Sequence, residues 1–246
     1  MAQRAPLSRS FGRAAEDLEL DFSASDRPAL VTALLAACVA PTDAEYWWQR
    51  PVGERTAALL ALLRESEGAE AIAPSVRCEA AGCGARLEIE LPHAAFAVAP
   101  PPSETIAIDR DASEHLVLRR PTGEDLRAWR ALRPASREQA LMAMLTRLST
   151  AGEPHPGDAA RAAEALAEAD PLVAFSVFCA CPACGHEAER EVDLEGLALQ
   201  RLAAHQRALL HDVHALASRY GWSESEILAL TPARRARYLE LIENFA

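Results

Sequence analysis

Two cysteine pairs about a hundred residues apart constrain this 246-residue chain more than any other feature. The first pair, Cys78 and Cys83, lies in VRCEAAGCGARLEIEL; the second, Cys181 and Cys184, lies in VFCACPACGHEAEREVDL. Written in register, the stretches share Val-x-Cys-x4-Cys-Gly, and each runs on into residues with the character of an outgoing strand. The second half reads as a distant copy of the first. Four thiolates complete a tetrahedral metal site, and a glycine after the second cysteine permits a tight turn of the backbone. The pattern therefore predicts a structural zinc on Cys78, Cys83, Cys181 and Cys184, with two β-hairpin knuckles pairing into a zinc-ribbon-like unit. Because four thiolates leave no open position for water or substrate, such a metal is a clamp and not a catalyst.

The pattern departs from the compact form in two ways. Four residues separate Cys78 from Cys83, where two are usual, and the halves lie far apart in the chain. The register also sets Cys179, rather than Cys181, opposite Cys78, which makes Cys179 a rival ligand; the commoner CPACG spacing favours Cys181. Buried cysteines without metal, and a redox pair at Cys181 and Cys184, stay open as alternatives. His186, beside the second pair, reads as a group behind the ligands, an alternative ligand or a solvent-exposed side chain. Cys38 falls in an apolar helix and is expected as a small buried residue.

Six cysteines are too few for a disulfide scaffold in a chain this long, and paired cysteines in a reducing compartment more often mean metal or redox chemistry. Apolar runs such as Ala57 to Leu63 are far too short to span a bilayer, and MAQRAPLSRSFGR lacks the apolar segment of a secretory signal. A cytoplasmic protein with no membrane association is expected. The net charge is −11 and all 25 basic residues are arginine, a balance that argues against non-specific binding of nucleic acid. The run RRARY, Arg234 to Tyr238, is the one local exception; arginines on the solvent or partner side of an amphipathic helix, with Leu239, Leu241 and Ile242 on the other, are the favoured account of it. Neither a P-loop nor G-x-S-x-G nor G-x-G-x-x-G occurs, and no carboxylate pair stands out from solvated helix faces. His211 and His214 read as surface histidines, and no enzyme or small-molecule substrate is called for.

The expected fold is α+β and mainly helical. Residues 1–25 are polar and aperiodic and predict a flexible leader; residues 26–74 form an N-terminal helical region, with Pro28 near the start of a helix that runs to Pro41 and a second helical stretch broken at Pro51. Trp47 and Trp48 serve either as a partner anchor or as core. Residues 75–193 form the zinc-ribbon-like unit with inserted strands and helices. Within it Leu87, Ile89 and Leu91 alternate with glutamates as in a half-buried strand. Ala99 to Glu104 read as a stiff linker, TIAID and HLVLRR as two strands around the turn RDASE, and Thr122 as a helix N-cap. Residues 136–149 and 158–169 predict helices. Residues 194–246 form a C-terminal run of three helices: one stopped by Gly221, one capped by Ser223 with Glu226, and one begun by Thr231 and Pro232.

LVLRRPTGEDL (116–126), CPACGHEAEREVDLEGL (181–197) and LLHDVHALASRYGWSESEILALTPARRARYLELI (209–242) together carry a resemblance. In this order they resemble the family of baseplate hub assembly chaperones and baseplate proteins of T4-type contractile phages and related contractile injection systems. The resemblance covers the second half of the chain well and the first half in general layout. It implies a non-enzymatic assembly factor or minor baseplate component whose partners are hub or spike proteins, found in the cytoplasm or incorporated into a phage tail-like particle. It also implies a partner face on HDVHALASRYGWSESEIL, with His214, Tyr220 and Trp222 as contacts. Tyr220 and Trp222 serve equally to lock the corner between two helices.

Overall fold

The computed structural model describes residues 9–96, 103–110 and 115–244. Its helices are α1 (Arg27–Cys38), α2 (Ala44–Gln49), α3 (Val52–Glu67), α4 (Gly123–Ala131), α5 (Arg137–Leu148), α6 (Ala159–Ala169), α7 (Leu194–Tyr220), α8 (Glu224–Ala229) and α9 (Pro232–Asn244). Its strands are β1 (Ala71–Ile72), β2 (Ser75–Arg77), β3 (Arg86–Glu88), β4 (Leu91–Pro92), β5 (Thr105–Asp109), β6 (His115–Arg119), β7 (Ser149–Ala151), β8 (Ser176–Ala180) and β9 (Glu187–Glu191). The chain is α+β, and it ends in a helical run. Among the described residues no helix is long and apolar enough to cross a membrane.

The main core forms where α1, α3 and α7 meet. Asp26 caps α1 by accepting the Ala29 N–H at 3.2 Å, Pro28 sits in the first turn, and Gly68 in the left-handed region ends α3. Leu34, Leu35, Leu59, Leu62 and Leu63 are fully covered there, together with Ala198 and Leu202 of α7. Trp47 is also core, 2% exposed, with its indole N–H on the Pro41 carbonyl. Trp48 lies half-buried between the guanidinium groups of Arg55 and Arg127, at 5.2 and 4.8 Å from its ring centre. Arg55 is wholly buried and donates to the carbonyls of Trp47 and Pro28, so it ties α3 to α1 and α2; among the described residues no carboxylate forms an ion pair with it.

The flexible leader expected over residues 1–25 is corrected for its described part; residues 1–8 lie outside the described residues. Residues 9–25 are docked. Phe11 is 2% exposed in the main core, and the buried Asp17 carboxylate accepts the N–H groups of Gly12, Arg13 and Ala14 while pairing with Arg9. From α7, Gln206 donates to the carbonyls of Asp17 and Leu20. Aperiodic sequence hides such a segment, because local hydrogen bonds and one aromatic anchor hold it rather than a repeating apolar face.

Residues 75–193 divide into a hairpin unit and an insertion. The antiparallel hairpins β2–β3 and β8–β9 stand at its two ends. Between them β5, β6 and β7 form an antiparallel sheet that packs on α5 and α6 through Ile108, Leu116, Leu118, Leu145, Leu148 and Ala162, a core of its own. The strand expected to run from Leu87 to Leu91 is split: β3 ends at Glu88, and Leu91 pairs with Ile72 in the separate β1–β4 ladder. Residues 99–102 of the expected linker and 111–114 of the expected turn lie outside the described residues.

The insertion is fastened to the helical core through α4. Thr122 and Asp125 form its capping box, and Asp125, fully buried, also receives Arg119 from β6 and Arg147 from α5. Burial alone would raise this carboxyl; the donors from Arg119, the Thr122 N–H and Arg147 outweigh it and hold Asp125 down to about 2. On the exit side, the buried Asp170, at the C-cap of α6, accepts the Gly53 N–H at 3.0 Å, which caps α3 from 117 residues away and holds the end of α6 against it. Burial raises the Asp170 carboxyl above its ordinary value despite that bond.

Candidate metal centre

Each hairpin delivers two cysteines to one point. The Sγ atoms of Cys78, Cys83, Cys181 and Cys184 lie within 4.8 Å of one another, close enough to bind a metal ion. Across the hairpins, Cys78 Sγ is 3.7 Å from Cys184 Sγ and Cys83 Sγ is 3.8 Å from Cys181 Sγ. Disulfide sulfurs sit about 2.05 Å apart, so these contacts are not bonds. A tetrahedron of thiolates about 2.3 Å from a central zinc places its sulfurs about 3.8 Å apart, the separation of those two pairs.

The backbone explains the convergence. In the first hairpin the Cys78 N–H donates to the Ala85 carbonyl at 2.8 Å; in the second the Cys181 N–H donates to the His186 carbonyl at 2.9 Å. Cys78 and Cys181 thus hold equivalent places, each the last rung before its turn. The sequence register that sets Cys179 opposite Cys78 is displaced by two residues, because β8 continues through Cys179, which pairs with Ala188, before it turns. Cys179 packs against the hairpin core and its sulfur is not among the four. The longer first loop is accommodated by Gly82 and Gly84, both in the left-handed region, where a side chain would be strained; Gly185 does the same in the second turn.

Backbone donors point at the sulfurs and set their acidity. The Ala183 N–H, with that of Cys184, brings the Cys181 thiol down to about 7. For Cys184 the His186 N–H favours the thiolate, but the neighbouring Cys83, Cys78 and Cys181 outweigh it and push this thiol up to about 12. Cys78 is likewise raised: the Ala80 N–H works against the rise, while burial and the neighbouring sulfurs cause it. Four thiols this close resist ionising together unless a cation shares them, and a metal ion bound among them would supply that cation. Cys78 and Cys181 are 5% and 4% exposed, whereas Cys184 faces solvent. Arg190 of β9 pairs with Glu79 of the first loop, a second tie between the hairpins.

The remaining cysteine and histidine expectations fall away from this point. Cys38 is fully buried in the helical core, and burial pushes its thiol up to about 11. The His186 side chain is exposed, as are His211 and His214. At the far end of α7, Tyr220 stacks on Trp222 with ring centres 4.7 Å apart, and both meet Tyr238 of α9 at 5.7 and 4.9 Å. These rings lock the α7–α8–α9 corner, although Tyr220 keeps 37% of its surface exposed. His214 does not join them: six residues from Tyr220, it points about 120° away around the helix. Tyr238 is the member that sequence reading missed; the aromatic in RRARY was its only signal. Arg235 of the same run, expected on the solvent side, is buried and pairs with Asp212 of α7 at 3.3 Å.

Compared with models of protein families, with curated proteins and with solved structures, the chain matches none.

Proposed function

We propose that this chain is a non-enzymatic interaction protein of contractile-tail baseplate assembly, braced by a structural zinc on Cys78, Cys83, Cys181 and Cys184. The convergence of four thiols at zinc-like separations carries the structural half of this reading. Four sulfur donors favour zinc among the common divalent ions, and a filled coordination sphere fits a brace and not a reaction centre. The metal ties the entry and exit of the insertion together, so that β5–β7 and α4–α6 are presented as one unit on the helical core. Binding contributes folding energy directly, since the site does not exist in the unfolded chain.

The baseplate half rests on the resemblance of residues 116–126, 181–197 and 209–242. Those segments supply β6 with the start of α4, the second hairpin with the start of α7, and the C-terminal helical corner. The exposed side of that corner, at Tyr220 and Trp222, is the proposed contact for hub or spike proteins, while His214 lies on another face of α7 and falls outside it. Affinity capture from cells that carry the whole gene cluster tests it: co-purification of hub or spike proteins, weakened by Tyr220→Ala, is the expected result. Capture without any tail protein would overturn the baseplate reading and leave the metal brace standing.

A further inference from the structure

The hairpin β8–β9 has a face that the brace does not use. Phe178 is 70% exposed, the most exposed large apolar side chain among the described residues. Strand alternation and register set Phe178 opposite Glu189, with Ser176 opposite Glu191 and Ala180 opposite Glu187. Phe178 therefore sits at the centre of a small face along which Glu187, Glu189 and Glu191 line up at every second residue. All three glutamates are exposed, and among the described residues no cation pairs with them; Glu189 only accepts a hydrogen bond from Ser176. The opposite side of the hairpin is spent inward: Arg190 is buried against Glu79, and Cys179 packs on the metal unit.

We propose that this face docks an extended basic segment of a partner protein, its lysines or arginines matching Glu187, Glu189 and Glu191 and an apolar residue covering Phe178. Three like charges along one strand repel each other in the free protein, and a cationic partner removes that cost. Charges on a short hairpin also serve to keep strange strands away, but that role places no large aromatic at their centre. An exposed aromatic ringed by polar groups is the layout of an interface anchor. A second copy of this chain is the poorer occupant, because two molecules of charge −11 repel. Among the described residues the hairpin forms one strand pair with no further strand on either side, so an extended segment has room to lie along it. The proposal rests on the interaction-protein reading and names the chemistry of the partner.

The test uses a labelled synthetic peptide of alternating lysine and valine, titrated into the metal-loaded full chain and followed by fluorescence anisotropy. Binding should weaken with added salt, and should fall by about tenfold or more in Phe178→Ser and in Glu187→Gln/Glu189→Gln/Glu191→Gln. A control, Glu153→Gln/Glu164→Gln/Glu168→Gln, removes the same charge from exposed positions of the insertion and should bind as the wild type does. Equal losses in the two triple variants, no effect of Phe178→Ser, or no binding by the wild type would overturn the proposal. Metal content and melting temperature, unchanged in Phe178→Ser, show that the variant is folded. Sedimentation velocity without peptide should give a monomer; self-association abolished by Phe178→Ser would assign the face to a second copy and overturn the basic partner. Recovery of tail proteins in the capture experiment depends on none of these outcomes, so the two readings fail separately.

Discussion

Removing the proposed metal, or replacing Cys184 by serine, should open a loop. A metal shared by the four clustered cysteines would tie residues 78–83 to residues 181–184 and so close about a hundred residues of chain. In the chain-entropy account of a cross-link, a loop of that length is worth about 4.7 kcal/mol at 25 °C. A kilocalorie of stability moves the melting temperature of a protein of this size by about 2–4 °C, so loss of the tie should lower Tm by roughly 10–20 °C. The hairpin unit offers little to offset this, since its buried core is only Cys78, Leu87 and Cys181 among the described residues, while the helical core around Leu34, Leu59 and Leu202 lies elsewhere. Scanning calorimetry on metal-loaded wild type, chelated wild type and Cys184→Ser, with metal content measured on the same samples, reads the effect. The variant should reproduce the chelated wild type, and chelator should then lower it little further. A Cys184→Ser protein that keeps its metal and melts within about 2 °C of the wild type would refute the clamp.

Other perturbations test the framework around it. Cys179→Ser should leave metal content and Tm unchanged, because that thiol is not among the four; loss of metal would restore it as a ligand. Asp125→Asn should destabilise the junction of α4, α5 and β6. The Asp125 carboxyl is held at about 2, below its ordinary 3.8, so its contribution is complete above about pH 4 and is lost as pH falls through about 2. That contribution is about 2 kcal/mol at most, reduced by solvent screening since Arg119 and Arg147 stand 34% and 42% exposed. Urea unfolding at neutral pH and near pH 3 should show the wild-type advantage shrinking in acid. Gly123→Ala should cost about 1–3 kcal/mol in the same assay, because a Cβ there would come within 1.9 Å of the buried Arg55 guanidinium and 3.0 Å of the Trp48 carbonyl oxygen.

Local grammar made much of the architecture readable. Asp26 with Pro28, Ser223 with Glu226, and the stops at Gly68 and Gly221 each announce a helix end through hydrogen bonds within a few residues. The four cysteines were legible for a similar reason: a turn that aims two thiols inward needs few residues and a glycine. Long-range polar contacts were not legible. The docking of residues 9–25 depends on Asp17 and Gln206, the cap of α3 depends on Asp170, and Arg55 finds carbonyls on two other helices. No periodic signal marks such pairs, since each is fixed by the tertiary arrangement it helps to hold. The Cys179 ambiguity had a local cause: two extra residues in β8 shift the turn against the repeat, and only the hydrogen-bond rungs at Cys78 and Cys181 reveal it.

The account stands or falls on what the four sulfurs hold. Zinc-edge X-ray absorption on protein purified without chelator, with elemental analysis of the same sample, tests this most directly. The predicted result is one zinc per chain in a shell of four sulfurs at about 2.3 Å. Protein that carries no metal, or a metal whose shell contains nitrogen or oxygen in place of one of these sulfurs, would contradict it.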